Sequence, residues 1–154
     1  MEPKKGALLV IPQRLNLVTV GAWDVPLLRA FYKRLGWTET DWSSDDYAVF
    51  SNAGSMLSIW SITELSNDTE LPVADNAGFF RGVTLAINVD EREQVDEVLS
   101  AAESAGAKIA RSAADRFWGG RSGSFLDPEN NTWEVAFNPN VRFDERGAMI
   151  EMNG

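Results

Sequence analysis

The sequence predicts an α+β fold of two tandem βαβββ modules, each with a helix covering one face of its sheet. Three observations carry that prediction. A strand, an amphipathic helix closed by glycine and three further short strands occur in that order twice, with Gly36 and Gly106 in corresponding places. Val18-Thr19-Val20 matches Val83-Thr84-Leu85, and Phe50 to Trp60 matches Phe125 to Ala136 with one residue added in the turn. The second copy closes on a hairpin signal: Ser122 to Leu126 and Thr132 to Phe137 flank Asp127-Pro128-Glu129-Asn130-Asn131. There Asp suits the first turn position, Pro presets the following φ and Asn tolerates a left-handed residue.

Taken in order, Met1 to Ile11 reads as a leader, either an added edge strand or a mobile arm, because its apolar run Ala7 to Ile11 is stopped by Pro12. The first module occupies about residues 13–63. Arg14 to Gly21 alternates as a strand, with Val18 and Val20 on one face and Leu17, Thr19 and Gly21 on the other. Asp24 is an N-cap for a helix with Pro26 in its first turn and Leu27, Leu28, Phe31, Tyr32 and Leu35 as its apolar stripe. Trp37 to Trp42, Tyr47 to Asn52 and Ser55 to Ser61 read as three strands. Residues 64–78, polar, acidic and broken by Pro72, read as a linker, with the connection as a whole taken from Thr63 to Gly78. The second module covers about 79–139: a strand from Phe80 to Val89, a helix from Asp90 to Ala105, then strands Lys108 to Ser112, Gly123 to Leu126 and Thr132 to Asn138. A C-terminal extension, 140–154, contains Ala148 to Met152, a segment suited to packing across an edge. The whole chain is read as one domain.

A resemblance now enters. The run Trp118-Gly-Gly-x-Ser-Gly-x-Phe-x-Asp-Pro-x-x-x-x-Trp-Glu-Val-Ala-x-Asn-Pro139 resembles the last hairpin of glyoxalase/bleomycin-resistance proteins, the vicinal oxygen chelate superfamily. Val18-Thr-Val-Gly-Ala-Trp-Asp24, Arg29-Ala-Phe-Tyr32 and Leu35-Gly-Trp37 resemble that family's opening strand and helix. The likeness spans about residues 13 to 139. It implies that the modules form curved mixed sheets enclosing a cleft bounded by their uncovered faces, and that the chain forms a homodimer. In metal-dependent relatives the ligands come from the start of each module's first strand and from its last strand. Carried over by position, those sites are Leu17, Ser58, Gly82 and Glu134, and only Glu134 retains a ligating side chain. The resemblance therefore implies a member without the usual metal set, and no cofactor is expected.

Composition narrows the chemistry. Among 154 residues there is no cysteine and no histidine, which removes disulfides, thiolate nucleophiles, Ser-His and Cys-His pairs and His-ligated metals. A general acid or base must then be a carboxylate, Lys, Tyr or water. The net charge of −9 argues against nucleic acid, whose binders cluster Lys and Arg. No apolar run is long enough to span a bilayer, and Met1 to Gly6 lacks the apolar segment of a secretory signal, so a soluble cytoplasmic protein with no membrane partner is expected.

The candidate ligand-binding residues are those with cleft-facing parity, Leu17, Thr19, Met56, Ser58, Trp60, Gly82, Thr84 and Glu134, together with Trp118 and Arg121 from the loop before the last hairpin. Two readings stand for Glu134: a catalytic general base, or a structural group bonded to Thr19, Thr84 or Arg121. Trp118, beside Gly119-Gly120, and Phe117 and Trp60 read either as stacking surfaces or as packing groups, whereas Trp23, Trp37 and Trp133 are assigned to packing. Arg116 and Arg121 suit an anionic group or solvent, and Asp24, Asp127 and Pro128 suit caps and turns. The set supports a metal-free protein that binds a planar or amphipathic small molecule in the inter-sheet cleft. The alternative is an enzyme of the same superfamily, a lyase or oxygenase with unusual metal ligands or a cofactor-free one using Glu134. A third reading, a scaffold dimer, requires a cleft closed by side chains.

Overall fold

The computed structural model describes residues 11–74 and 78–152, so all of the leader but Ile11 lies outside the described residues. The chain runs β1 (Leu17–Ala22), α1 (Val25–Arg34), β2 (Tyr47–Ser51), β3 (Met56–Ser61), α2 (Ile62–Thr69), β4 (Thr84–Val89), α3 (Gln94–Ala105), β5 (Lys108–Asp115), β6 (Arg121–Leu126), β7 (Thr132–Phe137), β8 (Val141–Phe143) and β9 (Met149–Met152). The first sheet is ordered β1-β3-β2 and the second β4-β7-β6-β5, while β8 and β9 form a separate hairpin. In each module the first strand lies parallel to the last, which is the repeat seen in the sequence. No described helix is long and apolar enough to cross a membrane.

The register corrects one detail of that repeat. Leu17 faces Met56 across β1 and β3, and Thr84 faces Thr132 across β4 and β7, so Leu17 corresponds to Thr84 and Ser58 to Glu134. The match of Val18 with Val83 is two residues out, and Gly82 lies in coil before β4 with φ 82°. Parity survives a shift of two, so the assignment of faces does not change.

Local chemistry explains the helices. Asp24 Oδ1 accepts the Leu27 N–H at 3.0 Å, Pro26 sits in the first turn of α1, and Lys33 and Arg34 lie in its last turn, where the helix dipole favours cations. Gly106, with φ 117°, ends α3. That helix begins at Gln94 rather than Asp90.

Three further expectations are corrected. Trp37 to Trp42 forms only a single bridge, Glu39 to Phe50; Ser43 N–H then bonds Thr40 C=O at 3.1 Å and turns the chain off the sheet edge. The connection from Thr63 to Gly78 holds α2, capped by Ser61 Oγ on the Glu64 N–H at 3.5 Å and ended by Glu70 in the left-handed region at φ 58°. Its first residue lies so close to β1 that a Cβ on Gly21 would meet Ile62 Cγ1 at 2.9 Å. In the second module β4 starts at Thr84 instead of Phe80, and β5 continues to Asp115 through two register shifts. The tail forms the β8–β9 hairpin, with Ala148 beside the β2–β3 turn, 3.5 Å from where a Cβ on Gly54 would stand.

A single core joins the modules. Leu28, Phe31 and Tyr32 of α1 are buried together with Phe50, Leu57 and Ile59 from the first sheet and with Phe125, Trp133 and Val135 from the second. Phe31 and Phe125 lie 6.3 Å apart between ring centroids, Tyr32 and Trp133 6.1 Å, and Trp37 reaches both Phe50 at 6.4 Å and Trp133 at 5.7 Å. Tyr32 Oη donates to Asp127 Oδ2 at 2.6 Å and accepts the Trp133 indole N–H at 2.9 Å. Asp127, 2% exposed, also accepts the backbone N–H groups of Glu129 and Asn131, each at 2.9 Å, and the Asn131 side-chain amide at 2.8 Å. A buried carboxylate is tolerated because every contact it makes is a donor.

Two predictions follow from this network. Asp127→Ala strands the Tyr32 hydroxyl and the turn's backbone donors, and should lower the unfolding free energy by about 3 kcal/mol in urea titration; a loss under about 1 kcal/mol would contradict the assignment. Burial first, and then the charge of Asp127, push the Tyr32 hydroxyl well above the ordinary tyrosine value. A group whose folded value is raised stabilises the fold below its unfolded value of about 10 and loses that contribution as pH rises past it. In a Tyr47→Phe protein, tyrosinate absorbance near 295 nm should therefore appear together with unfolding; ionisation in the intact fold would refute this.

Candidate functional site

Alternation places Thr19, Ser58 and Trp60 on the face of the first sheet opposite the core. Thr19 and Ser58, register partners on β1 and β3, join their hydroxyls at 2.6 Å. Trp60 pairs with Tyr47 across β3 and β2. Helix α2 flanks this face, and Leu65 and Asp68 from it line, with Thr19, Tyr47 and Trp60, an open pocket of about 430 Å³. Ser58 has no exposed surface, so of the three sheet residues expected to touch a ligand here only Thr19 and Trp60 are available.

The corresponding face of the second sheet carries Thr84 and Ala86, both exposed, with Glu134 half-buried between its register partners Ala86 and Ser124. The Glu134 carboxylate makes no hydrogen bond or ion pair among the described residues. Of the structural contacts expected for it, those to Thr19, Thr84 and Arg121, none is formed. Arg121 shares parity with Phe125 and so lies on the helix side, where it binds Asp96 of α3 through two hydrogen bonds of 2.8 Å and reaches Asp115 at 3.3 Å. The guanidinium holds both aspartates below the usual carboxylate range, with Arg92 adding to the effect on Asp115, and is itself raised. An anionic ligand would have to displace both carboxylates.

The loop before β6 is a bonded turn. Arg116 N–H donates to Gly120 C=O at 2.8 Å and Gly119 N–H to Arg116 C=O at 3.1 Å, while the Arg116 guanidinium binds Ser122 through Oγ at 2.9 Å and C=O at 2.8 Å. Trp118, 37% exposed, folds its ring onto Gly120, where any Cβ would lie 1.8 Å from the indole. Phe117 is fully exposed. Trp37 and Trp133 pack as expected, whereas Trp23, 70% exposed, does not. Leu17 and Met56 are both exposed, and Met56 lines a second cavity, of about 370 Å³, between the halves. Tyr47, Leu65 and Asp68 are the site residues that sequence reasoning missed, and the signal for the last two was the Ser61-x-x-Glu64 pattern of a capped helix.

By the structural register, the four positions that the resemblance carries over as metal ligands fall at Leu17, Thr84, Ser58 and Glu134. These supply one aliphatic group, two hydroxyls and one carboxylate, and the Ser58 hydroxyl is already bonded to Thr19. No group of three or more carboxylates able to hold a metal occurs among the described residues. Such a donor set does not fit a first-row divalent ion.

Comparison with known proteins places this arrangement. Among solved structures, a glyoxalase-related enzyme from Fulvimarina pelagi is 25% identical and superposes with a TM-score of 0.83 over 92% of this chain and 100% of that one. A glyoxalase/bleomycin resistance protein/dioxygenase family enzyme from Burkholderia phytofirmans PsJN gives 21% identity and 0.72 over 80% and 98%. Lactoylglutathione lyase from Agrobacterium tumefaciens gives 20% and 0.61 over 82% and 95%, a likeness of fold alone. No curated protein matches the chain. The family model described as Glyoxalase/Bleomycin resistance protein/Dioxygenase superfamily matches residues 14–135, and the chain belongs to that superfamily.

Proposed function

We propose that this protein binds a planar or amphipathic small molecule without a metal, holding it against the uncovered face of the first sheet. The observation that carries this reading is the cavity of about 430 Å³ in which Trp60 and Tyr47 stand as cross-strand partners beside the Thr19 hydroxyl and the Asp68 carboxylate. Its volume is in the range of small-molecule sites, and two aromatic groups with a few polar anchors are what orientation and affinity require. The Asp68 carboxylate makes no hydrogen bond or ion pair among the described residues, so it favours a ligand with a cationic or hydrogen-bond-donating group beside its planar part. The overall charge of −9 acts in the same direction.

A second reading rests on Glu134. A half-buried carboxylate with no partner among the described residues, set between Ala86 and Ser124, supports a cofactor-free enzyme in which it removes a proton from a bound substrate. The two readings separate by experiment. A thermal-shift screen of planar amphipathic compounds with cationic groups should yield a ligand, and Trp60→Ala should weaken it at least tenfold, or about 1.4 kcal/mol. Unchanged affinity in Trp60→Ala would contradict the site. Glu134→Gln should alter the unfolding free energy by less than about 0.5 kcal/mol and leave binding intact. If some compound from the screen is turned over and Glu134→Gln abolishes that turnover while binding persists, the enzymatic reading takes its place.

A further inference from the structure

A cleft of about 270 Å³ lies between β1 and the start of β4, and its chemistry differs from that of the Trp60 pocket. Its walls are aliphatic, with Val18 and Val20 from the first module and Val83 and Leu85 from the second. Among the described residues that line it, Arg81 alone is charged. Thr19 borders both spaces, but the charged side chain it shares them with is a guanidinium here and the Asp68 carboxylate there. Arg81 is exposed, yet its side chain is held in place: Nη2 donates to Glu129 C=O at 2.8 Å and to Asn131 Oδ1 at 2.9 Å. The Asn131 amide is oriented in turn by its donation to Asp127 at 2.8 Å, and Asn131 lines the same cleft, so the guanidinium stands one hydrogen bond from the cleft wall. Both of its acceptors are uncharged. Arg29, Arg92, Arg121, Arg142 and Arg146 each have a carboxylate partner, whereas Arg81 has none among the described residues, and its Nε and Nη1 donate to none of them.

We infer that this cleft binds a small aliphatic monocarboxylate, its carboxylate against the free N–H groups of Arg81 and its hydrocarbon body against Val18, Val20, Val83 and Leu85. One unneutralised guanidinium matches one anionic charge, and charge-assisted donation to a carboxylate is the stronger kind of hydrogen bond. Walls without an aromatic ring offer no stacking surface, so the body that fits them is branched or alicyclic rather than flat. The net charge of −9 does not govern this site, because at physiological ionic strength charges are screened over about 8 Å and Arg81 is the charge that borders the cleft. The inference does not depend on the reading of the Trp60 pocket.

Calorimetric titration of the full chain with cyclohexylacetate, with neutral cyclohexylacetamide and with acetate tests it. The amide keeps the shape and removes the charge, while acetate keeps the charge and removes the body. Cyclohexylacetate should bind at least tenfold more tightly than either. Arg81→Gln should abolish the preference for carboxylate over amide, Arg81→Lys should retain part of it, and Trp60→Ala should leave it unchanged. Recovery in Arg81→Lys separates lost charge from a folding defect in Arg81→Gln. Absence of binding, equal affinity for the carboxylate and the amide, or a preference that survives in Arg81→Gln would each overturn the inference, as would its complete loss in Arg81→Lys or its loss in Trp60→Ala. Acetate binding as tightly as cyclohexylacetate would overturn it too, since Arg81 would then be a surface cation attracting any anion.

Discussion

The carboxylate of Asp127 is the constraint around which the two modules are joined. It belongs to the β6–β7 turn of the second module, yet its shortest hydrogen bond, 2.6 Å, comes from Tyr32 on the helix of the first. Tyr32 in turn takes the Trp133 indole N–H, so one hydroxyl connects α1 to both the turn and the strand that follows it. With three further donors from Glu129 and Asn131, the charge is compensated without an ion pair. Around this network the rings of Phe31, Trp37, Phe50 and Phe125 pack between the sheets. The order of causes runs from polar satisfaction to packing, since an unpaired carboxylate at this depth would oppose the burial that the aromatic rings favour.

That junction decides what is left for function. Because α1 packs toward both sheets, the core lies on their helix sides and the opposite faces are free to meet other molecules. On the first sheet α2 converts part of the free face into a cavity containing Trp60, and the close approach at Gly21 is what allows α2 to lie there. On the second sheet the face stays open around Glu134. Polar anchors and aromatic surface are therefore present, while the positions that the resemblance carries over as metal ligands hold Leu17, Ser58 and Thr84 beside Glu134. The two arginines expected to suit an anion are engaged, with Arg121 on Asp96 and Asp115 and Arg116 on Ser122.

Much of this was legible in the sequence, and the reasons are local. The cap at Asp24, the glycine stops at Gly36 and Gly106, and the Asp127 turn each depend on the residues beside them, so the repeat could be read directly. Alternation also assigned Thr19, Trp60 and Glu134 to the face opposite the core. The same rule, counted back from Phe125, would have placed Arg121 on the helix side, so that misplacement ignored a signal that was available. Helix α2 was hidden by its polar composition, although Ser61-x-x-Glu64 marks its start. The hydrogen bonds from Tyr32 to Asp127 and from Arg81 to Asn131 had no sequence signal, because each depends on where segments distant in the chain come to rest.

The account's central claim is that the Asp127–Tyr32–Trp133 network makes the two modules one cooperative body on which the free sheet faces depend. Native-state hydrogen exchange under rising denaturant reads this directly. If the claim holds, the slowest amides of β1 and β3 and those of β4 and β7 will merge into one opening with a common free energy and a common denaturant slope. If the first module's amides instead exchange through a separate opening of lower free energy and smaller slope, the modules fold independently and the claim fails.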